Sequence, residues 1–580
     1  MARLQDTIAG RVRDAIGRAL GADLAVTDPL VRPAQDPRFG DYQANVAMGL
    51  GKRLGRKPRE VADAIVAAFD PSDLCARPDV AGPGFVNVRL DDGVLARLAT
   101  EAVRDGRLGV ARVAAPETVV VDYSGPNVAK EMHVGHLRST VLGDAAARTL
   151  EFLAHHVVRQ NHVGDWGTQF GLLIEHLVDI ATRQGRDPAD VIGDLTALYR
   201  EAATRDACEP DFAARARERV VALQAGDEQS RRIWKALVAV SEQQFQTIYQ
   251  RLGVALTMND VRGESFYNDR LAAVVADLRA SGLARDSQGA VCVFLDGFAT
   301  KDGDPLPLIV QKSDGGYLYA TTDLAAVRYR VAELGARRVI YVTDARQRQH
   351  FQMVFATARA AGWVPEGVRL EHAVFGSVLG EDGKPFRTRS GDTVPLADLL
   401  TEAEERALSI VVAKNPALPP DERVQIARAV GIGAIKYADL ASDRVKDYVF
   451  SWSRMLAMDG NTAPYLQYAY ARIRAIFRKG GLVDAPAAPI ILAHPAERAL
   501  VLLLLQLDAV VDVVGESLEP HRLCGYLYDV ATAFSAFYEA CPVLGADPPL
   551  RASRLVLCQL TARTLETGLG LLGIDTVDRM

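Results

Sequence analysis

TVVVDYSGPNVAKEMHVGH, residues 118–136, decides how the chain is read. The four β-branched residues 118–121 predict a strand buried on both faces, and Gly125-Pro126 turns the chain after it. A helix opens at His133. At the carboxyl edge of a parallel sheet, the first-turn N–H groups of such a helix point at the loop, and phosphates bind there. His133 and His136 are three apart, so they share a helix face and reach the same anion, while Gly135 leaves space for a flat ring or a phosphate against the backbone. Two plainer readings stand beside this one. The histidines are a zinc pair, with His155, His156 and His162 near but no HExxH spacing, or they are helix-cap residues.

Outward from this stretch the same alternation recurs. Short apolar runs at 157–161, 339–343 and 370–375 are each followed by a loop and a helical pattern, which predicts a Rossmann-like parallel sheet. Roughly 175 residues separate the second run from the third, too many for one crossover, so an insertion is expected at about 174–330. It reads as helical over 174–250 and strand-rich over 290–319. Residues 1–112 read as a small α/β module: an amphipathic helix on Leu4, Ile8, Val12, Ile16 and Leu20, a helix from Tyr42, another over 58–69 and a strand at 84–90. After the core domain, 113–395, the chain is helical to its end, and 396–580 is expected as one all-α domain that includes connecting helices over 396–455.

Composition bounds the class. In 580 residues, 67 Lys plus Arg against 73 Asp plus Glu give a net charge of -6, which excludes a basic tail-like binder of nucleic acid. A sum does not report a patch, however, and five basic residues crowd into 52–59. Six scattered cysteines without a CxxC pair exclude a disulfide framework and a thiolate zinc site. With no apolar run of about 20 residues and no targeting segment, the expectation is a cytoplasmic protein without a membrane partner.

NHVGDWGTQFG at 161–171 places a second glycine-rich turn at the next strand end, where a ribose and adenine fit. With the first stretch it resembles the arginyl-tRNA synthetase family of the class I aminoacyl-tRNA synthetases. So do TDARQRQH at 343–350, GKPFRTRSGDTV at 383–394, YLQYAYARI at 465–473 and the terminal LLGIDTVDRM. FGDYQANVA at 39–47 and GPGFVNVRL at 82–90 look like the family's N-terminal additional domain, and the helical end looks like its DALR anticodon-binding domain.

The resemblance implies ATP-dependent activation of L-arginine and transfer to tRNA(Arg). His133, His136 and Lys130 would then meet the phosphates, with Gly135, Gly164, Asp165 and Phe386 also at ATP. The family's KMSKS loop departs from its pattern here: Phe386 takes the methionine place, Thr388 stands for the second lysine, and Lys384, Arg387 and Arg389 supply the charge. Glu264 and Asp323, with Tyr319, would hold the guanidinium, and Asp122, Asn127 and Gln347 the α-amino and carboxylate end. Phe39, Tyr42 and Gln43 at one end of the chain, and Tyr465, Tyr468 and Arg472 at the other, would contact tRNA. Mg2+ is expected with the nucleotide and no dedicated protein metal site, and the family implies a monomer. Taken singly, most of these residues read as caps, turn residues, core aromatics or solvated charges. Another nucleotidyl transferase with an HxGH loop, or a non-catalytic synthetase-like RNA-binding protein, are the alternatives.

Overall fold

Val119, Val120 and Val121 have no exposed surface, because β1 (Thr118–Asp122) is an inner strand of a four-stranded parallel sheet. The structure is a computed structural model that describes residues 4–386 and 393–580. β1 runs through its loop into α1 (Val134–Phe152) and returns as β2 (His156–Gln160). β3 (Arg338–Tyr341) lies on the other side of β1, and β4 (Arg369–His372) outside β3. The order is therefore β4-β3-β1-β2. The chain leaves β1 toward β2 on one side and leaves β3 toward β4 on the other, and that switch point between β1 and β3 is where an open parallel sheet offers a crevice.

Between β2 and β3 lies the insertion. Its helices include Thr168–Gln184, Leu195–Cys208, Pro210–Ala225 and Glu228–Leu252. A three-stranded antiparallel sheet follows over Ala284–Ser287, Ala290–Ala299 and Pro305–Gln311. It packs with β3 and α2 (Arg348–Ala360) in one apolar core that contains Val293, Val310, Leu324, Val339 and Val354.

The chain divides into two compact units, and the division differs from the expected boundary at 395/396. One unit holds 113–456 with 571–574, the other 1–112 with 457–570 and 575–580. Helices Leu396–Lys414 and Pro420–Leu440, expected as part of the terminal helical domain, belong with the sheet. The physical reason is a buried bond: Arg138 of α1 reaches Asp439 at 3.2 Å, both side chains at or below 1% exposure. Removing either partner would strand a charge in the interior.

In the other unit the N-terminal module and the last helices form one body. Arg498 pairs with Asp41 at 2.7 Å and Asp92 at 2.6 Å, and Arg563 caps the carbonyls of Val103 and Asp105. The helix expected from Tyr42 begins at Val46 instead, and Tyr42–Ala44 is a strand between Val31–Pro33 and Phe85–Val88. Tyr42 and Ala44 face inward at 3% and 0% exposure, the alternation of a half-buried strand.

Candidate active site

The loops that follow the four strands enclose a cavity of about 850 Å³. Asp122 ends β1, Gly125 and Asn127 come from the loop after it, His162 and Gly164 from that after β2, Thr343 and Gln347 from that after β3, and Phe375 and Ser377 from that after β4. α1 contributes its first turn, and Glu264, Tyr319 and Asp323 come from the insertion.

At one end stand the two histidines, and their chemistry is set by helix capping. His133 is the N-cap of α1, and its Nδ1 accepts the N–H of Gly135 at 3.0 Å. The Nδ1 of His136 accepts the N–H of His133 at 3.1 Å, closing a reciprocal capping box. A ring nitrogen that accepts carries no proton, so each imidazole has its hydrogen on Nε2. Burial, with Lys130 near, lowers the pKa of His133. Burial, with His133 beside it, takes that of His136 down to about 3. Both rings are neutral at pH 7, each with one N–H to donate. The cap reading and the phosphate reading are thus the same arrangement, since the cap selects the tautomer that donates. Gly135 serves this locally: a Cβ there would stand 2.8 Å from Cε1 of His133 and displace the ring.

The loop before α1 is held in an unusual backbone. Ser124 and Ala129 have φ of 76° and 63°, a region that costs non-glycine residues energy. Surrounding bonds impose it: Ser124 N–H donates to Ser139 Oγ at 2.9 Å, and Ala129 N–H to Ser241 Oγ at 2.9 Å. Gly164 lets the next loop close on this one, for a Cβ would fall 2.2 Å from Asn127 Oδ1.

At the other end, the insertion supplies carboxylates. Burial, then the charges of Asp165 and Asp323, push the Glu264 carboxyl up to about 7. Asp323 accepts from His350 Nε2 at 2.6 Å, and the His350 ring meets Tyr319 edge-on at 4.9 Å between centres. An open, 64% exposed Tyr319 beside two acids suits a planar cation.

Several expected residues lie elsewhere. Asp165 is 5% exposed, and its two oxygens accept from Ser265 N–H at 2.8 Å and Ser265 Oγ at 2.6 Å. It anchors the loop that carries Glu264 and does not line the cavity. Lys130 places its ammonium 4.5 Å over the Tyr199 ring and also lies off the cavity wall. Lys384 is exposed, whereas Phe386 lines the cavity and stacks on Phe450 at 4.5 Å. Arg387 and Arg389 lie outside the described residues. Beyond them Thr393 lines the cavity again, and Val394 O accepts from Val134 N–H at 3.0 Å, so both flanks of that segment meet the site. His350 and Arg346, within the quoted 343–350 stretch but given no role there, both line the cavity.

Of the residues expected at tRNA, Phe39 and Tyr468 are exposed at 42% and 41%. Tyr42 is corrected to a core residue, at 3% exposure with its hydroxyl pushed up to about 12 by burial. Gln43 donates to Asn87 at 2.9 Å, Tyr465 packs on Tyr528, and Arg472 lies 4.1 Å over the Tyr538 ring.

Three family models match the chain in order: the arginyl tRNA synthetase N terminal domain at 4–90, the catalytic domain of class I tRNA synthetases (R) at 99–452, and the DALR anticodon binding domain at 466–580. Curated arginine–tRNA ligases of Edwardsiella ictaluri and Thermobifida fusca are each 52% identical, with 100% of both chains covered. The arginyl-tRNA synthetase structure from Plasmodium falciparum superposes with a TM-score of 0.84 at 30% identity, and covers 100% of both chains. With that identity along the whole length and the strand-end cavity in place, the chain belongs to the arginyl-tRNA synthetase family of class I.

Proposed function

We infer that the chain is an arginine–tRNA ligase, which uses ATP to activate L-arginine and passes the arginyl group to the 3'-terminal adenosine of tRNA(Arg), releasing pyrophosphate and then AMP. The observation that carries this is one cavity with neutral N–H donors at a helix start and a pair of acids from the insertion. The family fold alone would leave the substrate open.

In the first step an oxygen of the arginine carboxylate attacks the α-phosphorus, and the bond to the β-phosphate oxygen breaks. Negative charge grows on the equatorial oxygens. His133 and His136 donate Nε2–H there, and because their rings are held by backbone bonds, little reorganisation is spent during reaction. They take no proton. Glu264 and Asp323, with Tyr319, receive the guanidinium, while Asp122, Asn127 and Gln347 receive the α-amino and carboxylate end. A bidentate acid pair rejects lysine, whose ammonium does not match the fork.

Mg2+ enters with the phosphates of ATP, whose charge it offsets; among the described residues no cluster of three His, Cys, Asp or Glu side chains is placed to hold a metal. Phe39 and Tyr468 are the exposed rings best placed for stacking on tRNA bases. Among the described residues no helix is long and apolar enough to cross a membrane, and we take the enzyme to act in the cytoplasm as a monomer.

The test is charging of unfractionated tRNA with each amino acid in turn, tRNA being present throughout. Arginine alone should be attached. Attachment of lysine or glutamine in preference would end this reading.

A further inference from the structure

The helix Tyr319–Arg328, which carries Tyr319 and Asp323, does not end regularly. It widens into a π-turn over Tyr329–Glu333, and such an insertion re-aims the side chains within it. Arg330 is turned inward and has no exposed surface. Its Nη2 lies 2.8 Å from Asp122 Oδ2, its Nε 2.6 Å from Gln160 Oε1, and its guanidinium carbon 4.8 Å from the centre of the Tyr341 ring. Asp122, Gln160 and Tyr341 are the last residues of β1, β2 and β3, side by side in register. One side chain thus joins the carboxyl ends of three strands immediately beneath the cavity.

A buried guanidinium is expensive unless its contacts are well made. Here Nη1 has no hydrogen-bond partner among the described residues, and the two bonds that Arg330 does make orient an acid. A carboxylate offers about four acceptor positions. Arg330 takes one on Oδ2, the N–H of His162 takes one on Oδ1 at 3.3 Å, and the others remain for a ligand in the cavity that Asp122 lines.

We propose that Arg330 is the positioning residue for Asp122, holding its carboxylate in the orientation that receives the α-ammonium of arginine. The proposal rests on reading Asp122 as the ammonium acceptor.

The probe is 5-guanidinopentanoate, arginine without its α-amino group, used as a competitive inhibitor of aminoacylation by the full chain. In Arg330→Met the KM for arginine should rise about 10- to 100-fold, the loss expected for a misplaced charged hydrogen bond. The inhibition constant of the analogue should stay within about twofold and kcat within about threefold. Arg330→Lys should recover part of the arginine affinity. Equal losses for arginine and analogue, or no loss for either, would overturn the proposal. Should the methionine variant not fold, Arg330→Lys and Arg330→Gln are compared in the same way, and parallel losses again refute it. Asp122→Asn separates the two levels. If it keeps the preference for arginine over the analogue, the reading of Asp122 fails; if it loses that preference and the Arg330 variants keep it, only the role of Arg330 fails.

Discussion

The two ends of the cavity are built by different means. At the phosphate end, four consecutive residues, His133 to His136, hold one another through backbone bonds within a single helix turn. Their donors are neutral, with fixed tautomers, before any ligand arrives. At the proposed guanidinium end, Glu264 and Asp323 come from separate elements of the insertion, and burial, then the charges of Asp165 and Asp323, raise the Glu264 carboxyl to about 7. The first end is preorganised for charge that develops in the transition state. In the second, an acid stays partly protonated at neutral pH until a cation favours its ionised form. On the proposed function, local bonding sets rate and long-range assembly sets substrate identity.

That contrast can be broken in order of effect. His136→Ala should lower kcat for aminoacylation about 10²- to 10³-fold, as removal of one preorganised donor does, with tRNA affinity unchanged in a binding assay. Near-normal turnover would erase the distinction. Asp323→Ala should raise the KM for arginine about 10- to 100-fold with a smaller change in kcat; a loss confined to kcat would place Asp323 at the wrong end.

The pH dependence should separate the ends next. Below about 7 the Glu264 carboxyl is protonated and must release its proton to receive a guanidinium, so the KM for arginine should fall up to about tenfold per unit as pH rises toward that value, then level off. Glu264→Gln should abolish the slope. Without ligand the sign for stability is opposite: a carboxyl whose folded pKa is raised favours the fold at low pH, and that contribution is lost as pH rises through about 7. Arginine should accordingly raise the melting temperature more at pH 8 than at pH 6, and an equal shift at both would count against a Glu264 contact. The smallest effect is expected from Phe386→Ala, which loses a ring stacked on Phe450 at 4.5 Å. The pair supplies about 0.5–1.5 kcal/mol beyond its buried area, so the KM for ATP should rise only a few-fold, measured at saturating arginine.

How far each end could be read in advance follows the same divide. HxGH after a buried strand declares a helix start at a sheet edge, because cap chemistry and strand pattern are local. The carboxylates carry no such local mark: Glu264 and Asp323 are legible through family resemblance, since nothing in their own neighbours tells a site residue from a helix cap. Asp165 stood in a glycine-rich turn like a nucleotide contact, yet its oxygens are spent on Ser265, 100 residues away. Tyr42 reads as the first residue of a helix and is an inward strand residue. Arg330 is the least legible, since in YRVAE an arginine reads as a solvated helix face, and only the π-turn directs it to Asp122. The N-terminal module and the last helices were expected as separate domains; the bonds that unite them, such as Arg498 to Asp41, span 457 residues.

The most direct test of a single cavity with these two ends is a crystal structure with a non-hydrolysable arginyl-adenylate analogue, arginyl-sulfamoyl-adenosine. The account predicts sulfamoyl oxygens within hydrogen-bond distance of Nε2 of His133 and His136, and the guanidinium between Glu264 and Asp323. An analogue bound in the reverse sense, or with its guanidinium away from both acids, would contradict it.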